Sequence, residues 1–382
     1  MQLINSFLDI LLIIVVLGAG FLITLISAKA LSLPSGRAIL IYFWHTFFSF
    51  IYAWYTIEFY GDTIFYYRES QNGIDPFGFS TQSIVFIGSL IYEIFEISFL
   101  GMGFVFGMFG LIGLLIFDSS LRFITKNKSN NIKILATLFI FLPSVSFWSS
   151  GLGKDAVAFM AVNLVLWASL NLYNRKIPMI FGIIFMLLIR PHIAAVILIA
   201  LTLSIFFERK INIINRVFLT IVVFITAYIV VNSALNYLNF NQDLNLQNII
   251  NYIKQRQEYN WKGFGGGTDI RSMSLPMQIL NYLFKPLPYE ANSIRSMLAS
   301  IDNIFLLYLF IIGLYSKFKG SSVHPNINLI FFMIYGFGLL VILSMTTANT
   351  GIALRQKWMV LPFLIVLFFS FIPNKKNSII VK

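Results

Sequence analysis

The strongest constraint on this chain is a series of apolar runs that recur along its whole length. Most of these runs extend over about 18 residues or more, which as a helix crosses the ~30 Å hydrocarbon core of a bilayer. Hydrophobic residues make up 58% of the 382 residues, and charged residues only 11%. Soluble globular proteins contain about 25% charged residues. The sequence therefore predicts an all-α, polytopic integral membrane protein.

We expect about eleven transmembrane helices, within a range of roughly 10 to 12. The predicted spans are residues 7–28, 38–60, 98–121, 132–150, 156–173, 177–189, 191–207, 213–236, 301–316, 326–346 and 357–373. The sixth and seventh are separated at Arg190-Pro191, because a proline inside a helix removes a backbone donor and breaks or kinks it. Residues 83–97, which carry Glu93 and Glu96, predict a helix lying at the outer surface instead.

Lysine and arginine residues collect in alternate connections between these spans. They lie within the segments 29–37, 122–133, 175–176, 209–216, 317–319 and 375–382. The positive-inside rule makes this side cytoplasmic, with the N-terminus outside and the C-terminus inside. The net charge of +12 is then a topology signal and an attraction to anionic membrane lipids. No nucleic-acid partner is expected.

Three parts of the chain follow from this topology. Residues 1–238 form an N-terminal bundle of about eight spans, and residues 301–382 form about three spans and a short cytoplasmic tail. Residues 239–300 form a large external loop carrying short helices, one of them amphipathic. A loop of this length is more often functional than idle, although a partly disordered loop is the alternative.

Candidate ligands for an anionic substrate collect on the predicted outer side. Ionisable residues at membrane depth mark substrate pathways, and the arginine fork binds phosphate oxygens in a bidentate way. We expect a substrate diphosphate to be bound by Lys154, Arg190, His192, Arg355 and Lys357, with Asp155 orienting Arg190. The alternatives are an ion pair at a helix start for Lys154 and Asp155, a structural pairing of Arg190 with a carboxylate such as Asp155, and interface snorkelling for the two cations before the last span.

Two carboxylates are candidates for a general base that deprotonates a sugar hydroxyl. Asp62 follows the second span in FYGDTIFYYRES, and Glu290 lies in PLPYEANS. Asp62 could equally cap a short helix, since aspartate is a favoured N-cap residue. The chain has no cysteine, its three histidines are far apart, and it contains no Asp-x-Asp pair. We therefore expect neither a metal nor a cofactor.

Four short strings carry a resemblance to a known family. PSVSFWSSGLGKDA, LLIRPHIA, FKPLPYEA and RQKWMVLPF, in this order, resemble membrane proteins of bacterial surface-polysaccharide clusters. The chain is similar to the O-antigen and capsule repeat-unit polymerases of the Wzy type. That resemblance implies polymerisation of undecaprenyl-diphosphate-linked oligosaccharide repeat units at the outer face of the bacterial inner membrane. It also implies a flippase and a chain-length regulator as partners.

Two further details bear on this resemblance. Wzy proteins carry an Arg-x10-Gly pattern in external loops, and Arg256 to Gly267 has that spacing. The stretch YGDTIFYYRES also resembles the first external loop of GT-C glycosyltransferases, in which an aspartate often acts as the base. A GT-C transferase that uses a lipid-phosphate-linked sugar is therefore the alternative enzyme. A lipid-linked oligosaccharide flippase or other transporter is a third hypothesis, although the sequence shows no internal repeat.

Overall fold

The structure is a computed structural model that describes residues 2–59, 61–74, 76–208, 212–237, 246–262, 268–291 and 293–375. The described chain is all-helical, with 79% helix and no strands among these residues. This agrees with the all-α class predicted from the apolar runs, since a helix satisfies its own backbone polar groups within the segment.

The helices follow one another with short connections. From the N-terminus they are α1 (Phe7–Ala30), α2 (Ser35–Phe59), α3 (Asp62–Ser70), α4 (Thr81–Phe95), α5 (Phe99–Thr125), α6 (Asn130–Ile140), α7 (Pro143–Ser149), α8 (Lys154–Ser169) and α9 (Lys176–Ile189). They continue as α10 (Pro191–Phe206), α11 (Ile213–Tyr237), α12 (Leu246–Lys262), α13 (Leu275–Phe284), α14 (Ile294–Phe318), α15 (Leu329–Phe332), α16 (Leu339–Thr346), α17 (Thr350–Gln356) and α18 (Leu361–Phe371).

Six helical segments of the described chain are long and apolar enough to cross a membrane. They are Phe7–Ala30, Ser35–Phe59, Phe99–Thr125, Asn130–Ser149, Ser296–Phe318 and Leu329–Thr346. A seventh is obtained if Thr350–Met359 and Leu361–Phe371, which are bent by 60° relative to each other, form one span. A membrane location is therefore plausible for the chain, and the count of eleven spans and the orientation of the termini stay predictions.

Three of the remaining predicted spans correspond to the shorter helices α8, α9 and α10, and the fourth corresponds to α11, which has 25 residues. The predicted break at Arg190-Pro191 is present, because α9 ends at Ile189 and α10 begins at Pro191. The helix predicted at 83–97 is also present as α4, and its N-terminal Ser80 donates a backbone hydrogen bond to the Leu188 carbonyl, 2.6 Å away. Helix α4 therefore packs beside the end of α9, close to the break.

Helix α8 lies in the centre of the bundle, and most of its residues are buried. It packs against α5 on one side and α9 on the other. Gly113 of α5 permits the close approach, since a Cβ there would be 2.9 Å from the Met160 Cα of α8. Small residues at such contacts let two helix backbones approach closely within a membrane. The close packing fixes α8, whose first residue is Lys154.

The described helices of segment 239–300 pack on the C-terminal part of the chain. Gln257 and Asn260 of α12 donate to the carbonyls of Met345 and Thr346 at the end of α16, each over 2.7 Å. The domain boundary predicted between 300 and 301 falls inside α14, because that helix begins at Ile294. The boundary at 238–239, Gly267 and the tail from 376 onward lie outside the described residues.

Candidate functional site

One polar pocket of about 200 Å³ brings together most of the residues predicted to act on a substrate. Its walls come from the start of α3, the start of α8, the break between α9 and α10, and helix α17. The predicted residues that line it are Asp62, Lys154, Asp155, Arg190, His192 and Arg355. These residues are up to 293 positions apart in the sequence, so the fold alone assembles them.

Arg190 forms an ion pair with Asp155, the contact expected for an orienting carboxylate and for a structural pair alike. The Arg190 Nη2 donates to the Asp155 Oδ1 over 2.6 Å, and the two side chains are only 13% and 17% exposed. The Nε of Arg190 is buried and has no hydrogen-bond partner among the described residues. One side of the guanidinium is thus held by the carboxylate, and a buried donor remains for a ligand.

The local backbone explains the position of Arg190. Pro191 occupies the first turn of α10, where its missing N–H costs no helical hydrogen bond. Arg190 lies between the two helices with a non-helical backbone (φ −143°, ψ 77°) and caps both. A helix break therefore turns this arginine into the pocket.

Lys154 occupies the first residue of α8, ahead of the apolar part of that helix. Its ammonium lies 6.0 Å from the centre of the Tyr66 ring and has no ion-pair partner among the described residues. Burial, and then the neighbouring Arg190, lower the pKa of the Lys154 ammonium to about 8. The pocket therefore contains an amine that titrates close to neutral pH.

Asp62 and Arg355 face each other across the pocket. The Arg355 Nη1 donates to the Asp62 Oδ2 over 3.3 Å, and Asp62 is 67% exposed. Arg355 also lies 5.6 Å from the ring of Trp148. Its helix α17 is capped by Asn349, whose Oδ1 accepts from the Ile352 N–H. The Arg355–Asp62 pair is therefore more exposed to solvent than the Arg190–Asp155 pair.

Two predicted site residues lie away from the pocket. Lys357 is 1% exposed, and its Nζ donates to the Asn303 Oδ1 over 2.5 Å. Asn303 in turn donates to the carbonyls of Phe284 and Pro286, so this lysine is part of a buried network between α14 and the end of α13. The prediction that Lys357 contacts the substrate is therefore corrected: the lysine does not line the pocket, and it holds α14 through Asn303.

Glu290 is also separated from the pocket. It ends the short 3-10 turn Pro288–Glu290, accepts from the Leu287 N–H over 2.9 Å, and pairs with the Lys285 Nζ at 3.1 Å. Partial burial raises the pKa of the Glu290 carboxyl, but the Leu287 N–H and Lys285 outweigh it and lower the pKa below its usual value. Of the two predicted bases, only Asp62 lines the pocket.

Sequence reasoning missed several uncharged polar residues of the pocket. Those added by the structure include Tyr52, Thr63, Tyr66, Ser80 and Gln356. The hydroxyls of Tyr52 and Thr63 are 3.2 Å apart. The sequence could have indicated one of them, Tyr66. It follows Asp62 by four residues, and side chains at this spacing lie on the same face of a helix.

The pocket carries three cations and two carboxylates, so its formal charge is one positive unit when Lys154 is protonated. Among the described residues, no group of three or more histidine, aspartate or glutamate side chains is arranged to hold a metal ion. The arrangement can bind a phosphate-bearing group and place a carboxylate beside it. No family model, no curated protein and no solved structure matches this chain.

Proposed function

We propose that this protein is a membrane glycosyltransferase that joins lipid-linked saccharides. The observation that supports it best is the presence of the open carboxylate of Asp62 in one pocket with three cations. Fixed cations stabilise the charge that develops on a departing phosphate group, and a carboxylate accepts the proton of an attacking hydroxyl. Both tasks are needed to transfer a sugar from a lipid diphosphate.

The proposed reaction is a displacement at the anomeric carbon of the donor sugar. The hydroxyl oxygen of the acceptor forms a bond to that carbon, and the bond from the carbon to the diphosphate oxygen breaks. Asp62 receives the hydroxyl proton, and the lipid diphosphate leaves with the bonding electrons. Lys154, Arg190 and Arg355 bind the diphosphate, and His192 lies beside it.

The contact between Asp62 and Arg355 supports a coupling between donor binding and access to the Asp62 carboxylate. While Arg355 donates to it, one carboxylate oxygen of Asp62 is engaged. A diphosphate that binds Arg355 competes with Asp62 for the same guanidinium. Donor binding would thus release Asp62 to accept the proton.

In its most specific form, the proposal is polymerisation of undecaprenyl-diphosphate-linked repeat units of an O-antigen or capsule. This form rests on the resemblance of the four sequence strings. It places the pocket at the outer face of the bacterial inner membrane, since the basic connections lie at the other ends of the helices.

A GT-C transferase that uses a sugar linked to a lipid monophosphate is the second candidate. One observation favours it: the single excess positive charge of the pocket matches the one negative charge of a phosphodiester more closely than the charge of a diphosphate. The two candidates differ in the donor, so purified protein offered both lipid donors distinguishes them.

The proposed function is tested by the length distribution of surface polysaccharide. In a strain that lacks the gene, we expect wild-type protein to restore long chains, and Asp62→Asn and Arg190→Gln to leave single repeat units. Glu58→Gln and Arg68→Gln are matched controls, because both residues are exposed, lie close in sequence to Asp62, and do not line the pocket. Long chains in the strain without the gene would refute the function.

A further inference from the structure

A second basic cavity, also about 200 Å³ in volume, lies at the opposite end of α2 from the candidate functional site. It is formed by the start of α2, the end of α5 and the start of α6. Its charged residues are Arg37, Asp118, Arg122, Lys126 and Lys133. Four cations and one acid therefore surround this cavity, which the proposed transferase reaction does not use.

The one acid of this cavity is already neutralised. Arg37 forms a bidentate contact with Asp118, from Nε to Oδ2 at 2.8 Å and from Nη2 to Oδ1 at 2.6 Å. Asp118 is fully buried, and the Arg37 Nη2 also donates to the Thr137 hydroxyl over 3.2 Å. This fixed pair ties α2, α5 and α6 together and forms a rigid wall of the cavity.

The other three cations have no such partner. Arg122, Lys126 and Lys133 make no ion pair or hydrogen bond through their side chains to any residue that the structure describes. All three side chains are exposed, so water and salt screen their repulsion, but together they leave this side of the cavity with an excess of positive charge. The cavity thus has the charge of a site for a strongly anionic group.

The surroundings of the cavity indicate where that anion comes from. Leu40, Ile134 and Leu138 are 57%, 59% and 39% exposed. Leu40 lies one turn beyond Arg37 on α2, while Ile134 and Leu138 directly follow Lys133 and Thr137 on α6. The two helices that carry basic side chains of the cavity, both of them candidate spans, thus also carry exposed apolar side chains, as expected at the boundary between headgroups and acyl chains.

We propose that this cavity binds the phosphate headgroup of an anionic membrane phospholipid, with the acyl chains lying over Leu40, Ile134 and Leu138. The three cations without partners bind the phosphate oxygens, and the Arg37–Asp118 pair holds the walls in place. A zwitterionic lipid satisfies the site less well, because its own cation opposes the basic cluster. A soluble phosphate lacks the apolar contacts.

The test compares lipids on the purified full-length protein in a neutral detergent. Phosphatidylglycerol, phosphatidylcholine and glycerol phosphate are added separately, and native mass spectrometry counts bound lipid while the thermal midpoint is followed. We expect phosphatidylglycerol to bind and to raise the midpoint more than phosphatidylcholine does. Glycerol phosphate should have little effect at the same concentration.

The decisive variant is the double substitution of Arg122→Gln with Lys133→Gln. Each basic residue near an anionic membrane surface contributes about a fivefold change in binding, so the pair should weaken phosphatidylglycerol binding roughly 25-fold. Arg37 is left intact, because its loss would strand the buried Asp118 and unfold the bundle. Lys317→Gln with Lys319→Gln removes the same charge from exposed residues that do not line the cavity, and this variant should bind as the wild type does.

Two results would overturn the proposal. One is equal phosphatidylglycerol binding by the Arg122/Lys133 double variant and the control, which would show that only the overall charge of this end attracts lipid. The other is equal stabilisation by glycerol phosphate, which would make the ligand a soluble phosphate. Transferase activity of the double variant should be retained in detergent, so the outcome is separate from that of the proposed function.

Discussion

At the scale of single residues, the two carboxylates of the candidate site each contact one arginine, and the two contacts differ in their exposure to water. Asp155 holds Arg190 in a contact that is mostly shielded from water, and such a charged hydrogen bond contributes about 1.5–3 kcal/mol. Asp62 touches Arg355 in an exposed contact, and such pairs contribute about 0–1 kcal/mol. A diphosphate can therefore displace the second contact at little cost, whereas the first stays as part of the scaffold.

Lys154 gives the site a predicted pH dependence. Because burial and Arg190 lower its pKa to about 8, the ammonium is present below that pH and is lost as the pH rises through it. Donor affinity should fall in the same interval, since the neutral amine no longer attracts the phosphate. We expect kcat/KM to decline above a pH of about 8.

The matched variant for this prediction is Lys154→Arg, because arginine stays protonated throughout this range. Its kcat/KM should stay level across the interval in which the wild type declines. A decline of the same size in Lys154→Arg would assign the titration to another group.

Three of the predicted residues that line the pocket flank an interruption of a helix. Asp62 begins α3 after the end of α2, Lys154 follows a glycine turn, and Arg190 precedes a proline. Polar groups at such breaks are predictable, because the chain must leave the apolar core there. Lys357 was placed wrongly because it follows Arg355 by two residues, and side chains two apart on a helix do not share a face.

At the scale of elements, the helices were predictable and their membrane roles less so. Apolar length defined α1, α2 and α5, and the proline defined the break between α9 and α10. The bend of 60° between α17 and α18 was not visible as an apolar pattern, although it presents Arg355 to the pocket. The ion pair of Glu290 with Lys285 was equally unpredictable from the sequence. The two residues are five positions apart, and the conformation of the loop between them brings them together.

Helix α5 provides a prediction about membrane crossing. It has 27 residues, about 40 Å as a helix, and joins the α3–α4 side of the bundle to the basic end. The chain has no cysteine, so each single substitution adds the only thiol. Asn72→Cys places it at an exposed position before the start of α5 in the sequence, and Asn127→Cys places it at an exposed position after the end of α5.

We expect an impermeant maleimide applied to intact spheroplasts to label Asn72→Cys, and to label Asn127→Cys only after the membrane is opened. Labelling of both variants in intact spheroplasts would contradict a crossing by α5. The reverse pattern would retain the crossing and invert the orientation that the basic connections predict.

At the scale of the whole molecule, the two cavities lie at opposite ends of α2, whose 25 residues extend over about 37 Å. The cavity at one end combines cations with an open carboxylate, which suits chemistry on a phosphate-linked substrate. The cavity at the other end has its single carboxylate locked by Arg37, which suits binding without chemistry. The two cavities therefore contain the same residue types and differ in the exposure of their carboxylates, since Asp118 is fully buried and Asp62 is 67% exposed.

The most direct test of the account is transfer by the purified protein. Lipid-linked saccharides extracted from cells that lack the gene serve as both donor and acceptor, and product length is read by mass spectrometry. The wild type, Glu58→Gln and Arg68→Gln should form products that contain two or more repeat units, while Asp62→Asn and Arg190→Gln leave the substrate unchanged. Extension by Asp62→Asn at the wild-type rate, or no extension by the wild type, would contradict the central claim.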